Sequence, residues 1–99
     1  MTKEIVISEI AAAVGIPNPG RGEGSSVYKA LFDGVCDRFG IDKIGTMPQQ
    51  AQSIVSAARL PYNARNFDSR LSPSGGGSTV TLAGLRQIKA AVDVLLLRP

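Results

Sequence analysis

The residues best suited to chemistry are concentrated between positions 59 and 81, where arginines, aromatics, hydroxyls and three consecutive glycines follow one another. Arginine forms forked hydrogen bonds to phosphate oxygens, and arginine and asparagine match the edges of guanine and adenine. Aromatic rings stack on exposed bases. Together these types predict a nucleic-acid-binding surface, and its candidate side-chain contacts are Arg59, Arg65, Asn66, Arg70 and Arg86.

A glycine-rich loop at residues 72–79 leads into a predicted helix start. Backbone amides in such a loop approach anions closely, and the first turn of a helix offers unpaired N–H groups. The candidate phosphate contacts are Ser74, Gly76, Ser78 and Thr79. The loop lacks the lysine of a phosphate-binding P-loop and the preceding strand of a dinucleotide fingerprint, so nucleotide hydrolysis is not indicated. A flexible capped linker is an equal alternative, and a small anionic ligand is a weaker one.

Two aromatics in this segment, Tyr62 and Phe67, have an alternative interpretation. The chain has only two tyrosines, three phenylalanines and no tryptophan with which to fill its core. We therefore expect both rings to anchor the loop to the core rather than to stack on bases. The arginines could also be solvated or paired with Asp68, but the nucleic-acid interpretation is favoured for them.

The distribution of charge also favours an anionic partner. The net charge is +3; residues 1–58 carry five basic and six acidic side chains, and residues 59–99 carry six basic and two acidic. Positive charge confined to one part of a chain most often indicates nucleic-acid binding. Duplex DNA is the favoured ligand here.

Several other kinds of site are excluded or disfavoured. The chain has no histidine and a single cysteine, Cys36, so it cannot assemble the usual zinc ligand sets or a histidine-based catalytic triad. Asp33 and Asp37 lie one helical turn apart, but Lys29 precedes Asp33 by four residues, which favours a solvated charge ladder. We expect no metal, no cofactor and no enzymatic activity. No apolar run approaches the ~20 residues of a membrane span and no secretory signal is evident, so we expect a cytoplasmic protein without membrane contact.

The apolar spacing predicts a compact all-α bundle of four helices in one domain spanning residues 1–99, with an ordered Arg/Gly-rich loop between the third and fourth helices. The β-branched run at residues 5–7 leaves an extended start as a minor alternative. The second helix is apolar over so wide an arc that we expect it to be central, with a close helix crossing at Gly34. The predicted helices cover residues 4–14, 27–39 after a cap at Ser25 or Ser26, 46–60, and 82–96 after a cap at Thr79 or Thr81.

One core should contain the apolar stripe of each helix. Replacement of a fully buried member should be strongly destabilising. The ten residues expected there are Ile10, Val14, Leu31, Val35, Phe39, Ile54, Val55, Leu85, Ile88 and Val92.

Two weaker patterns concern helices. Residues 8–17 resemble the first half of a helix-turn-helix, with Ala11 and Gly15 at its small-residue and turn positions, but the following loop is longer than the motif allows. An ordinary amphipathic helix ending at glycine is favoured. Gln49, Gln50 and Gln52 match adenine edges if the third helix enters a major groove, although glutamine is also a common surface residue of helices.

The leading hypothesis is a DNA-binding domain in which Arg59, Arg65, Arg70 and Arg86 share a face with the glycine-rich loop and contact the phosphate backbone. The alternative is a protein-interaction module, such as an adaptor or a phage- or mobile-element-encoded modulator, with no nucleic-acid binding. That alternative rests on the apolar residues 94–97. We expect them to be covered by the first helix or by a second subunit in a homodimer formed through the C-terminal helix.

Overall fold

The computed structural model of the chain describes residues 3–19, 25–43, 45, 47–62 and 80–97. These residues form four α-helices: α1 is Lys3–Val14, α2 is Ser25–Phe39, α3 is Met47–Ala57 and α4 is Leu82–Leu97. The all-α bundle is therefore confirmed, and the β-branched run at residues 5–7 is helical rather than extended. No helix formed by the described residues is long and apolar enough to cross a membrane.

The four helices pack in a ring around a shared core. α1 packs against α2 and α4, and α3 packs against the same two helices. The expectation that α2 is central is therefore wrong, because α2 has two principal neighbours like every other helix. Its wide apolar arc is instead used by five side chains that are almost fully buried: Tyr28, Leu31, Phe32, Val35 and Cys36.

Nine of the ten predicted core residues are buried, and the tenth, Phe39, is partly buried against the core. Each helix contributes one side because residues three and four apart lie on the same face. Val80 is 1% exposed and was not among the ten. It lies between two threonines just before α4, where no helical period marks it as apolar core.

The end of α1 is a Schellman motif. Gly15 N–H donates to the Ala12 carbonyl (3.3 Å) and Ile16 N–H donates to the Ala11 carbonyl (3.0 Å). Gly15 has a φ of 75°, the left-handed conformation that this motif requires. Ile16 then packs against the core, so the helix stops and the chain turns inward in one step. The predicted end of the first helix at glycine is confirmed.

α2 ends in the same way. Gly40 has a φ of 68°, and Ile41 N–H donates to the Cys36 carbonyl (2.8 Å). Ile41 is partly buried against the core, as Ile16 is after α1. In both motifs a glycine supplies the left-handed turn and the next aliphatic residue covers the end of the core.

α4 begins at a side-chain cap. The Thr81 hydroxyl accepts a hydrogen bond from Gly84 N–H (3.0 Å), three residues further on. This bond satisfies one of the N–H groups that the first turn leaves without a helical partner. Thr81 is thus the cap of α4, and the other candidate, Thr79, lies outside the described residues.

The apolar end of α4 is only half covered by its own chain. Val94 and Leu95 are partly buried against the core, whereas Leu96 is 39% exposed and Leu97 is 85% exposed. Residues 94–97 were expected to be covered by the first helix or by a second subunit. The chain itself partly covers Val94 and Leu95, and a second subunit over Leu96 and Leu97 stays a prediction.

The close approach at Gly34 involves a connection rather than a helix crossing. A Cβ built on Gly34 would lie 2.5 Å from Ile16 Cδ1 and 3.1 Å from Ile16 Cγ2. The residue that follows the α1 turn therefore lies directly on α2, and a side chain at position 34 would require Ile16 to shift.

Replacing Leu31 or Ile88 by alanine should lower the free energy of unfolding by about 2–5 kcal/mol, because each is 0% exposed and leaves a cavity. Urea denaturation of each variant measures this loss. The control is Leu97→Ala, which should change the unfolding free energy by less than about 0.5 kcal/mol because its side chain is exposed. Equal effects at positions 31 and 97 would contradict the described core.

Replacing Gly34 by alanine should lower stability by about 1 kcal/mol, because the clash with Ile16 exceeds the gain in helix propensity. Denaturant unfolding should show the opposite sign in an Ile16→Ala background, where the added methyl group has room. If Gly34→Ala stabilises the protein equally in both backgrounds, the contact with Ile16 does not constrain this position.

Candidate nucleic-acid interface

Two of the predicted contact residues lie among the described residues. Arg59 directly follows the last turn of α3, Arg86 lies in the second turn of α4, and both side chains are exposed. The remaining predicted contacts lie outside the described residues: Arg65, Asn66, Arg70, Ser74, Gly76, Ser78 and Thr79.

Arg59 occupies the left-handed position of a third Schellman motif. Its φ is 59°, its N–H donates to the Ser56 carbonyl (2.9 Å), and Leu60 N–H donates to the Val55 carbonyl (3.2 Å). Leu60 is partly buried against the core, as the corresponding isoleucines are after α1 and α2. The backbone thus forms the same turn with arginine where the other two helices have glycine.

The presence of arginine at this left-handed position has an energetic cost. An L-residue in the left-handed region brings Cβ close to the following carbonyl oxygen, which costs on the order of 1 kcal/mol relative to glycine. Arg59 is the only non-glycine with positive φ among the described residues. Its guanidinium forms no ion pair with any residue of the described ranges. No ion pair within that part of the chain therefore offsets the cost.

A hydrogen bond joins the two regions that carry Arg59 and Arg86. Gln87 Nε2 donates to the Pro61 carbonyl (2.6 Å), which connects α4 to the segment after α3. Pro61 is two residues from Arg59, and Gln87 is adjacent to Arg86. Bond lengths then limit the separation of the two arginine Cα atoms to roughly 20 Å. This distance is shorter than one turn of duplex DNA, about 34 Å.

Both ends of the predicted Arg/Gly-rich loop are attached to the core. Tyr62 is partly buried and packs against the core, and Val80 is buried. Burial also raises the pKa of the Tyr62 phenol above its ordinary value of 10.0. The expectation that Tyr62 serves as a core anchor is confirmed, and Phe67 lies outside the described residues.

The α3–α4 half of the chain is nearly free of carboxylates. Between Lys43 and Val92 the sequence has one acidic residue, Asp68, against five basic residues. The described residues of this stretch include no acidic residue. α3 and the first two turns of α4 therefore carry no acidic side chain that would repel a phosphate backbone.

The lysines of the bundle, in contrast, are mostly paired. Lys29 lies 3.5 Å from Asp33, which confirms the predicted charge ladder on α2. Lys43 Nζ donates to Asp37 Oδ1 (2.7 Å), and this hydrogen bond raises the pKa of Lys43 above 10.5. On α4, Lys89 donates to both oxygens of Asp93 at 2.8 and 2.9 Å. Arg59 and Arg86 have no comparable acidic partner within the described ranges.

Gln50 is not a surface residue, contrary to both interpretations of its sequence position. Its side chain is 5% exposed, and Nε2 donates to Asp33 Oδ1 (2.7 Å) and to Cys36 Sγ (3.6 Å). The amide therefore joins α3 to α2 and cannot reach a base. The sequence gives no sign of this role, because Gln50 sits among the polar residues that begin α3 and its partners are distant in the chain.

The outer face of α3 carries Gln49, Gln52, Ser53 and Ser56. With Gly45 these residues line a shallow cleft of about 580 Å³. The Ser53 hydroxyl donates to the Gln49 carbonyl (3.1 Å), so it is held by its own helix. The cleft lining contains amide and hydroxyl groups and no charged side chain.

Comparison with protein-family models, with curated proteins and with solved structures finds no match to this chain. Within the described residues, no group of three or more cysteine, aspartate or glutamate side chains is placed to hold a metal ion.

Cys36 is buried, and this burial raises the pKa of its thiol above the ordinary value of 9.0. The folded thiol should therefore stay protonated where an unfolded cysteine begins to ionise, so stability should fall as the pH rises above about 9. We expect alkylation at pH 8 to be at least about a hundredfold slower in the native protein than in urea. The control for the pH dependence is Cys36→Ala, which should lose less stability between pH 8 and 10. Rapid alkylation of the native protein would contradict the buried position.

Proposed function

We propose that this protein binds nucleic acid, in the form of duplex DNA, and that Arg59 and Arg86 contact the phosphate backbone. We call these two residues the arginine pair. The observation that carries the proposal is that both are exposed and lack an acidic partner in the described ranges, on a part of the bundle with almost no carboxylates. We propose a binding role rather than catalysis.

The charge distribution supports a phosphate ligand over other anions. A duplex presents one negative charge per about 1.7 Å of axis. Two arginines within roughly 20 Å of each other can therefore each contact a phosphate of the same duplex segment. Each phosphate that an arginine neutralises releases condensed counterions. Binding of this kind is sequence-independent and weakens steeply as salt rises.

The left-handed conformation of Arg59 supports the same role. Strained residues are retained in proteins mainly where function requires their side chain. Glycine would fit this turn at lower cost, as it does at positions 15 and 40. A long, permanently charged side chain at the exposed turn is best explained by a ligand that it binds.

Replacing Arg59 by glycine should separate stability from binding. We expect the unfolding free energy to rise by about 0.5–1 kcal/mol, because the left-handed strain is removed. The affinity for a random-sequence duplex should fall roughly threefold to tenfold at about 50 mM salt. The slope of log K against log salt should decrease in magnitude by about one unit. Urea denaturation and fluorescence anisotropy at several salt concentrations measure these three quantities.

Two further variants that should lose binding and one control variant accompany this one. Arg59→Ala keeps the strain and should lose binding without gaining stability, and Arg86→Ala should lose binding to a similar extent. Lys29→Ala removes the same unit charge, but from a lysine that is paired with Asp33 on α2. This variant should bind DNA almost as wild type does. If the arginine-pair variants bind as wild type does, or wild type binds no DNA at low salt, the proposal is wrong.

A second candidate function is a protein-interaction or homodimerisation module. The observation that favours it is the exposure of three large apolar side chains, Ile5 at 48%, Leu96 at 39% and Leu97 at 85%. Such residues commonly mark a contact surface when they form a patch. Sedimentation at high concentration distinguishes the two candidates: a dimer that dissociates on Leu97→Asp substitution, together with absence of DNA binding, supports this second function.

A further inference from the structure

We infer that the outer face of α3 reads base edges in the major groove of duplex DNA, with preference for adenine-containing base pairs. We call Gln49, Gln52, Ser53 and Ser56 the α3 reading face. This inference rests on the proposed function, since it assigns sequence recognition to the helix that Arg59 follows.

The spacing of the α3 reading face is that of a single helix face. Its members stand at i, i+3, i+4 and i+7, which places them along one side of α3. The opposite side is buried through Ala51, Ile54 and Val55. The helix therefore presents its polar side outward over about two turns, a length that fits within a groove about 12 Å wide.

The chemistry of this face is unusual for a surface helix. Exposed helix faces normally carry charged residues, and α3 contains no charged residue at all. Carboxylates there would repel the phosphates on either side of the groove. The Gln52 amide and the Ser56 hydroxyl instead offer both donors and acceptors to base edges. The Ser53 hydroxyl, in contrast, donates to the Gln49 carbonyl and remains an acceptor only. Glutamine forms a bidentate pair with adenine N6 and N7, and serine accommodates several bases.

The surroundings hold α3 in a defined position. On its inner side Gln50 is hydrogen-bonded to Asp33 of α2, and at its C-terminal end Arg59 follows the last turn. Phosphate contacts set the orientation of a helix on the duplex, while groove-facing side chains read the bases. Arg59 is placed for the first task and the α3 reading face for the second.

Gln52 is the best residue for a test. The Gln49 amide oxygen lies against Gly45, where a Cβ would collide with it, so Gln49 is restrained by the preceding turn. Gln52 is exposed and makes no hydrogen bond with the described residues. It can therefore be changed with little effect on the fold.

The experiment is selection of bound duplexes from a random-sequence library, followed by anisotropy titration of the enriched sequence. Wild type should enrich a motif with adenine at one or more fixed positions. Gln52→Ala should lose preference at one of them, with a roughly 5- to 150-fold smaller ratio of specific to random-sequence affinity. Gln52→Glu should shift that position toward cytosine, whose amino group glutamate accepts. Gln52→Ala should keep the wild-type salt slope on random DNA, whereas the added carboxylate of Gln52→Glu should weaken binding to random DNA.

The possible failures are distinguishable. If wild type binds random DNA but enriches no motif, or if Gln52→Ala enriches the wild-type motif unchanged, the inference about the α3 reading face is wrong and the proposed function stands. If wild type binds no duplex at low salt, both are wrong. Lys29→Ala, which lies on the acid-paired side of α2, should enrich the wild-type motif and serves as the matched control.

Discussion

The rest of the structure depends on how sharply the chain turns at the helix ends. Four short helices can bury one apolar side each around a common core only if the chain leaves each helix in a defined direction. After α1, α2 and α3 this is done by a left-handed residue followed by an aliphatic residue, at Gly15, Gly40 and Arg59. The aliphatic residues that follow pack against the core, so each turn also completes it: they are Ile16, Ile41 and Leu60.

A second constraint on the structure is a polar contact between α2 and α3. Gln50 is nearly inaccessible to water, and its hydrogen bond to Asp33 compensates for the loss of hydration. Apolar packing alone allows helices to slide past one another, whereas a directional bond fixes their relative position. The same aspartate pairs with Lys29 at the surface, so one carboxylate links the interior bond to a solvated cation.

Much of this architecture is predictable because it is local. Helical periodicity identifies the four helices, glycine marks two of the three left-handed ends, and Thr81 is recognisable as a cap. The sequence does not reveal what depends on tertiary neighbours. Gln50 looks like a surface residue until Asp33 is placed beside it, and the contact at Gly34 is with Ile16 of a connection. The left-handed turn at Arg59 was also missed, because propensity predicts glycine there. Of the candidate interface, only Arg59 and Arg86 lie where the structure describes the chain.

The three matching helix ends have a consequence for how this sequence can change over time. Selection for folding alone would favour glycine at all three turns, so mutational drift in the absence of a ligand should erase the cation at position 59 before it disturbs positions 15 or 40. Under the proposed function, homologues that keep a basic residue at the third turn would mark lineages in which a phosphate ligand is still bound. Homologues with glycine there would have become more stable proteins that no longer depend on it.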